Sequence, residues 1–498
     1  MKNFKRILAV VLAMSMILSL AACSSSDDNS SSTKERETQI ANNGDVATTA
    51  KRTNDVVIGT WWVQHYDSND TALEDSPDYT VAVTDSQSSD EDTAKTGAIN
   101  LSVMQKKFDN VKTIENKYGI KFYWENLTYS GVKESINTSI LAGTPDCDIY
   151  LTDASMAIPA QANGLCIDLK TILPADHDLF TDQNVMSYLD MGDGKACILM
   201  RQGGMTNSHP LAFNVQLLED NNLEDPRDLW ERGEWTWDKF IEYAQVLTQD
   251  TDGDGQIDQY GLGGYYPDLF EELMLSNGAN IAAGTEQQLT SSKMTEVLQF
   301  ISDIYNVYNV AEPVNSEDDA NLCRTSYRSG NIGFFMCDVW IQQTDGSDYD
   351  WDGSLGYTLP FDIAYCHWPV GYSGNQETDA QLNNVGGELY IIPAGVEDPE
   401  TVFNVLYDMW NWYDLDTEVR DDPATLNWWI NATGRTDEYR QANFKVQQEI
   451  VSKQTVDIWN SMGVEFDLWS LASGEMTPAQ FQETYKQSFQ DALDALYK

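Results

Sequence analysis

Between residues 250 and 261 the chain reads DTDGDGQIDQYG, with aspartates at every second position through a glycine-rich run. Read as a twelve-residue calcium loop, Asp250, Asp252 and Asp254 fall at positions 1, 3 and 5. Gly255 takes the sharp turn at 6, the carbonyl of Gln256 serves at 7, and Asp258 stands at 9. Hard oxygen ligands at that spacing suit Ca2+. Position 12, normally a bidentate glutamate, is Gly261, so a complete ligand set needs a carboxylate from elsewhere in the chain. The competing reading is a polar turn that holds no metal. Other chemistry is harder to find. The sequence has no G-x-S-x-G elbow, no H-E-x-x-H and no P-loop. Glycoside hydrolysis needs only two facing carboxylates, and 79 acidic residues do not exclude such a pair by count.

The elements that must carry these residues begin with a leader. Lys2, Lys5 and Arg6 precede an uncharged stretch from Ile7 to Ala22, the pattern of a signal peptide over residues 1–22. The apolar run is shorter than the roughly 20 residues of a spanning helix, and no later window approaches that length. Leu20-Ala21-Ala22-Cys23 resembles the bacterial lipobox, which makes Cys23 the lipidated N-terminus of the mature chain. Residues 23–54 have few large apolar side chains and read as a flexible tether. The protein is therefore expected on the extracellular face of the bacterial membrane, held by acyl chains and by no helix. Loss of the three leader cations leaves 27 basic against 79 acidic residues, a net charge of −52. Such a body is repelled by nucleic acid and by anionic headgroups.

About 440 residues follow the tether, and the whole chain is 42% hydrophobic, which suffices for two domains. Short apolar runs, DVVIGTWW, IKFYWE, DCDIYLTD, ACILMR, PLAFN, NIGFFMCD and ELYIIP, alternate with segments of helical period, so the fold class is α/β. In EWTWDKFIEYAQVLT the apolar residues Trp237, Phe240, Ile241, Ala244 and Leu247 share a helical face. Thr236 is the expected N-cap, and Trp235 is placed to staple onto Phe240. TVFNVLYDMWNWY repeats the pattern through Val402, Val405, Leu406, Met409 and Tyr413. Residues 66–94 hold nine acidic residues and no basic one, and read as a solvated excursion. Six cysteines remain after Cys23, with no CxxC pair. Several lie inside apolar runs, where a reduced cysteine packs as a small hydrophobe.

The order of motifs from residue 55 to about 440 resembles the extracellular solute-binding proteins of ABC importers, in the family that includes maltodextrin-binding and other sugar-binding proteins. The stretches that carry the likeness are VVIGTWW, SILAGTPDCDIYLTD before ANGLCIDL, PLAFNVQLLEDNNLEDP leading into WTWDKFIEYAQVLTQD, SGNIGFFMCDVW, and NVGGELYIIPAG. The resemblance implies a two-lobed periplasmic-binding-protein-like fold with the ligand cleft between lobes. Lobe one would hold residues 55–200 and 383–418, and lobe two residues 201–382 and 419–498. It also implies delivery of a solute to ABC permease subunits. No catalysis is expected, and the alternatives are a secreted carbohydrate-active enzyme or a sensor built on the same fold.

A sugar site needs flat apolar faces for the pyranose ring and carboxylates or amides for its hydroxyls. Fifteen Trp and 24 Tyr supply the faces. Trp61 and Trp62 follow a strand run, where open α/β sheets place their ligands. The resemblance adds Asp153, at a strand end, and Trp340 with its neighbour Asp338. Glu388, Trp428 and Trp429 complete a weaker set. Asp153 has a competing role, because an aspartate at a strand end also caps the next helix. In such a protein the aspartate loop is a structural clip away from the ligand cleft, Ca2+ is its candidate ion, and no catalytic cofactor is expected.

Overall fold

The computed structural model describes residues 55–61, 66–76, 79–89, 91–181, 194–200, 209–264, 266–313, 326–336, 359–379, 389–413, 416–420, 436–453 and 464–496. The leader, Cys23, the tether, Trp62, Asp338, Trp340, Glu388, Trp428 and Trp429 lie outside the described residues.

Two mixed sheets organise the described residues. The first contains β1 (Val56–Thr60), β2 (Phe122–Asn126), β3 (Ile149–Thr152), β4 (Ile198–Met200) and β11 (Leu389–Ile391), in the order β2-β1-β3-β11-β4. Here β1 pairs parallel with both β2 and β3, while β11 runs antiparallel to β3 and β4. The second sheet takes β5 (Leu211–Asn214), β6 (Tyr260–Gly264), β9 (Ile332–Met336) and β10 (Ile363–Cys366), in the order β10-β5-β9-β6. A small hairpin, β7 (Ala282–Ala283) with β8 (Glu286–Gln287), stands apart from both. All seven strand runs read from sequence are strands. The sequence reading missed β6, whose YGLGG has too little apolar mass to stand out, and β10.

Among the described residues, the helices of eight residues or more are α1 (Tyr79–Ser86), α2 (Glu91–Tyr118), α3 (Tyr129–Ser139), α4 (Ala154–Ala162), α5 (Trp237–Leu247), α6 (Tyr266–Ser276), α7 (Ser292–Asn306), α8 (Pro399–Trp410), α9 (Asp437–Val451) and α10 (Pro478–Leu496). The first sheet and α8 share one core, which includes Val56, Ile58, Phe122, Ile149, Leu151, Ile391, Val402 and Leu406. The second sheet has a separate core on one face, around Trp237, Phe240, Phe270, Phe334 and Leu493. A smaller cluster under α9 covers its other face, with Phe335, Ile363, Tyr365 and Ile450. Strands such as β3 and β9 are buried at every residue, which is why their sequences are apolar runs and not alternations. Cys147, Cys166, Cys197 and Cys366 are buried among these residues.

The two helices read from periodicity form as their sequences dictate. Thr236 caps α5 by accepting from the Lys239 N–H, and the Trp235 ring meets Phe240 edge-on at 6.3 Å. In α8, Val402, Val405 and Leu406 are buried, but the helix stops at Trp410, so Tyr413 packs from the turn beyond it.

The acidic excursion is more structured than its composition suggests. Ser68 donates its N–H to the Phe122 carbonyl (2.9 Å), and the Phe122 N–H donates to the Ser68 hydroxyl (2.9 Å). Asp67, only 6% exposed, accepts from the Trp124 N–H (3.0 Å). Side chains of the excursion thereby satisfy the outer edge of β2 that would otherwise stand open to another chain. The rest of the segment supplies α1 and the start of α2. A side chain at Gly97 would bring its Cβ within 2.3 Å of the Ser86 nitrogen, so the closeness of these two helices requires glycine.

Close approach also shapes the second sheet. A Cβ at Gly261 would fall 2.3 Å from the Ala244 carbonyl oxygen, because β6 lies directly against the α5 backbone. Gly261→Ala is therefore expected to lower stability by about 2 kcal/mol through overpacking, read as a reduced urea midpoint with an unchanged slope.

Candidate functional site

In the first sheet the strand order places β1 beside β3, and the chain leaves β1 toward β2 on one side and β3 toward β4 on the other. That arrangement is a topological switch point, and open α/β sheets bind ligands in the crevice outside the carboxyl ends of such strands. Three side chains occupy those ends. Trp61 follows β1, Tyr129 opens α3 just after β2, and Asp153 follows β3.

The three are in contact. The Trp61 and Tyr129 rings meet at 81° with centroids 5.6 Å apart, forming a right-angled aromatic corner. The Tyr129 hydroxyl donates to Asp153 Oδ2 (2.7 Å) and lies 3.2 Å from the Ser155 hydroxyl. Asp153 Oδ1 accepts from the Ser155 hydroxyl (2.6 Å) and from the Met156 N–H (3.0 Å), which makes Asp153 the N-cap of α4. The capping role of Asp153 is therefore carried by Oδ1, while Oδ2 takes the Tyr129 phenol. Desolvation, reinforced by the Asp153 carboxylate, pushes the Tyr129 phenol up to about 12, so it stays a proton donor at any physiological pH.

Local sequence explains how Tyr129 arrives there. Val132, Ser135, Ile136 and Ser139 recur at helical spacing and form the buried face of α3. The Ser135 and Ser139 hydroxyls share hydrogen bonds with the Tyr150 hydroxyl (2.7 and 3.3 Å), and this binds α3 to β3. At the helix entrance Thr128 adopts φ 66° and ψ 163°, a region nearly exclusive to glycine. Such a conformation costs of order 1–3 kcal/mol and persists only where surroundings impose it. Its hydroxyl accepts from the Gly131 N–H, and its own N–H donates to Asn126. Sequence reasoning named Trp61 and Asp153 but missed Tyr129. The available signal was a threonine cap directly after a strand, in ENLTYS.

The aspartate run is closed at its base by mutual backbone hydrogen bonds between Gln249 and Gln259 (2.9 and 3.1 Å). Inside the loop, Asp250 accepts from the Gly253, Asp254 and Gly255 N–H groups, and Gly253 and Gly255 have φ of 79° and 91°. Asp250, Asp252 and Asp254 each present a carboxylate oxygen within 4.8 Å of the others, a donor set that fits a hard cation. Asp258 is used differently. Its Oδ1 accepts from both the N–H and the hydroxyl of Thr251, bonds that hold its carboxyl below the usual range. Gly261 cannot be the missing glutamate because the α5 backbone leaves no room for a side chain there.

Two sheets with separate cores, and candidate side chains at the carboxyl ends of parallel strands, define a two-lobed α/β binding-protein fold of the periplasmic type. The model of the bacterial extracellular solute-binding proteins matches residues 110–404, and the chain belongs to that family. Its structure is similar to an ABC substrate-binding protein from Listeria monocytogenes solved with cycloalternan, at 14% identity and a TM-score of 0.55, covering 89% of this chain and 100% of that one. It is also similar to the maltose/maltodextrin-binding domain from Bdellovibrio bacteriovorus bound to maltotriose (13%, TM-score 0.53, 88% and 99% covered). A third likeness is the cyclic alpha-maltosyl-1,6-maltose binding protein from Arthrobacter globiformis (15%, TM-score 0.56, 88% and 98%). No curated protein matches the chain at a significant level. Among the described residues no helix is long and apolar enough to cross a membrane.

The two oxygens of Asp153 have separate partners, so the cap is testable by itself. Asp153→Ala should cost about 1 kcal/mol of stability by loss of the cap, whereas Asp153→Asn should keep most of it, a difference that chemical denaturation of the two variants measures.

Proposed function

We propose that this protein captures a carbohydrate outside the cell and hands it to an ABC importer, tethered to the membrane through lipid on Cys23. The observation that carries the solute class is the corner of Trp61 and Tyr129 with the Asp153 carboxylate at its edge. Aromatic rings match the apolar C–H face of a pyranose, and an oriented carboxylate accepts from its hydroxyls. The sugars named for the three similar proteins support the same class, and membership of a solute-binding family supports capture over turnover. Lobe closure over the solute is how a protein of this fold would mark itself as loaded. The remaining sequence candidates, Trp62, Asp338, Trp340, Glu388, Trp428 and Trp429, stay part of this proposal from sequence alone.

A thermal-shift screen of the mature chain against mono- and oligosaccharides tests it, since a solute that binds only the folded state raises the melting temperature by mass action. At least one sugar should raise it, and Trp61→Ala should weaken binding of that sugar by about tenfold or more. Release of hydrolysed product during the incubation would replace capture with catalysis.

We also propose that the loop of residues 250–258 holds Ca2+ as a structural clip, with Asp250, Asp252 and Asp254 as its carboxylate ligands, Gln256 through its carbonyl and Asp258 as their continuation. The clip reading is supported by the loop's position between α5 and β6 in the second lobe, whereas the aromatic corner belongs to the first sheet. Ca2+ at about 100 times its Kd should add about 2.7 kcal/mol of stability. EDTA should lower the melting temperature of the wild type, leave that of Asp252→Asn unmoved, and spare sugar affinity. Loss of sugar binding at an unchanged melting temperature would sink the clip.

A further inference from the structure

We infer that Tyr129 is a solute-contacting residue of the first lobe, its ring forming the second wall of the carbohydrate site and its hydroxyl holding Asp153 Oδ2 in the orientation that receives the solute. The inference rests on the carbohydrate reading and assigns within it a residue that neither the strand motifs nor the family likeness pointed to. Three independent observations carry it. The first is position: Tyr129 lies at the carboxyl end of β2, next to the β1–β3 switch point, on the same edge of the sheet as Trp61 and Asp153. The second is exposure. Tyr129 is 44% exposed although its neighbours in α3 build a core, and its ring meets Trp61.

The third is bonding. Asp153 Oδ1 is consumed by the Ser155 hydroxyl and the α4 amide, which leaves Oδ2 as the oxygen able to take a solute hydroxyl. Tyr129 donates to that same oxygen, and a carboxylate oxygen has a second lone pair free for an incoming donor. The phenol oxygen, having donated its own proton, can in turn accept one from an adjacent solute hydroxyl. Two neighbouring hydroxyls of one sugar would thus find an acceptor each, 2.7 Å apart, beside a ring face. Among the charged groups, Lys133 lies over the Tyr129 ring, its ammonium 5.9 Å from the centroid and one helical turn along α3. The strained Thr128 backbone sets where the ring enters, and the Ser135, Ser139 and Tyr150 bonds hold α3 without help from Tyr129. Removing the Tyr129 side chain should therefore leave the fold intact.

The experiment titrates the mature wild type, Trp61→Ala, Tyr129→Phe, Tyr129→Leu, Asp153→Asn and the Tyr129→Phe/Asp153→Asn double variant by calorimetry. The probes are maltotriose, cycloalternan and cyclic maltosyl-maltose, and the melting temperature of each sugar-free variant serves as the control for folding. Tyr129→Leu should weaken binding by about tenfold or more through loss of ring and hydroxyl, and Tyr129→Phe by a smaller factor of about three to ten. If the hydroxyl acts through Asp153, Tyr129→Phe should have little further effect in the Asp153→Asn background, a non-additivity that a merely structural role would not produce. Wild-type affinity in both Tyr129 variants, with Trp61→Ala weakened, overturns this inference and leaves the carbohydrate reading standing. Additive losses in the double variant overturn the positioning role of the hydroxyl. No binding of any probe by the wild type overturns the carbohydrate assignment, and this inference falls with it.

Discussion

One carboxylate ties the first lobe's backbone to its surface chemistry. Asp153 closes the N-terminus of α4 with one oxygen and receives the Tyr129 phenol with the other, so the helix that follows β3 and the helix that follows β2 meet at a single side chain. Because the cap fixes the carboxylate, its other oxygen points in one direction with little entropy left to lose. A carboxylate prepared this way would make the proposed solute contact at lower cost than a freely rotating one. Trp61 gains as well, since its partner ring is held at both ends, by the strained Thr128 at the backbone and by the hydroxyl bond at the tip.

Both sheets face the same hazard, an outer strand with unpaired backbone groups, and both meet it with side chains. On β2, Ser68 and Asp67 occupy the N–H groups of Phe122 and Trp124. On β10, the amide of Asn443 accepts from the Tyr365 N–H and donates to the Ile363 carbonyl, so α9 completes the ladder as another strand would. Buried amides and carboxylates in these places cost desolvation, and the backbone bonds they make offset it. The acidic stretch after β1 accordingly combines two physical roles. Its start is part of the sheet edge, and its helices extend over the lobe through the α2 contacts of Lys117 and Tyr118 with Asp408.

The aspartate loop shows how a local motif yields to its setting. In a calcium loop that leads into a helix, position 12 is free to carry a long carboxylate. Here the loop leads into β6, which lies against α5 so closely that only glycine fits at 261. The Gln249–Gln259 closure keeps the loop compact at its base, and Asp258 is turned to brace Thr251. What remains convergent is the triad Asp250, Asp252 and Asp254.

The sequence by itself determined the elements whose signals are local. Apolar runs long enough to be buried on both faces made β1, β3 and β9 legible, and the Thr236 cap with its Trp235 staple made α5 legible, because caps and staples act within a few residues. Trp61 and Asp153 were legible as strand-end residues because a strand end is visible in sequence. Strand β6 was not, since its three glycines carry no apolar signal and owe their presence to α5 lying against them. The contacts that bring Trp61, Tyr129 and Asp153 together were decided by tertiary structure alone. Tyr129 is separated from Trp61 by 68 positions and from Asp153 by 24, and only the parallel order β2-β1-β3 brings the three strand ends together. The same holds for Gly261, where the absence of a ligand looked like a defect in the motif and is a consequence of packing. Local bonds are written into neighbouring residues, whereas proximity across a sheet depends on which strands pair, and that choice belongs to the whole core.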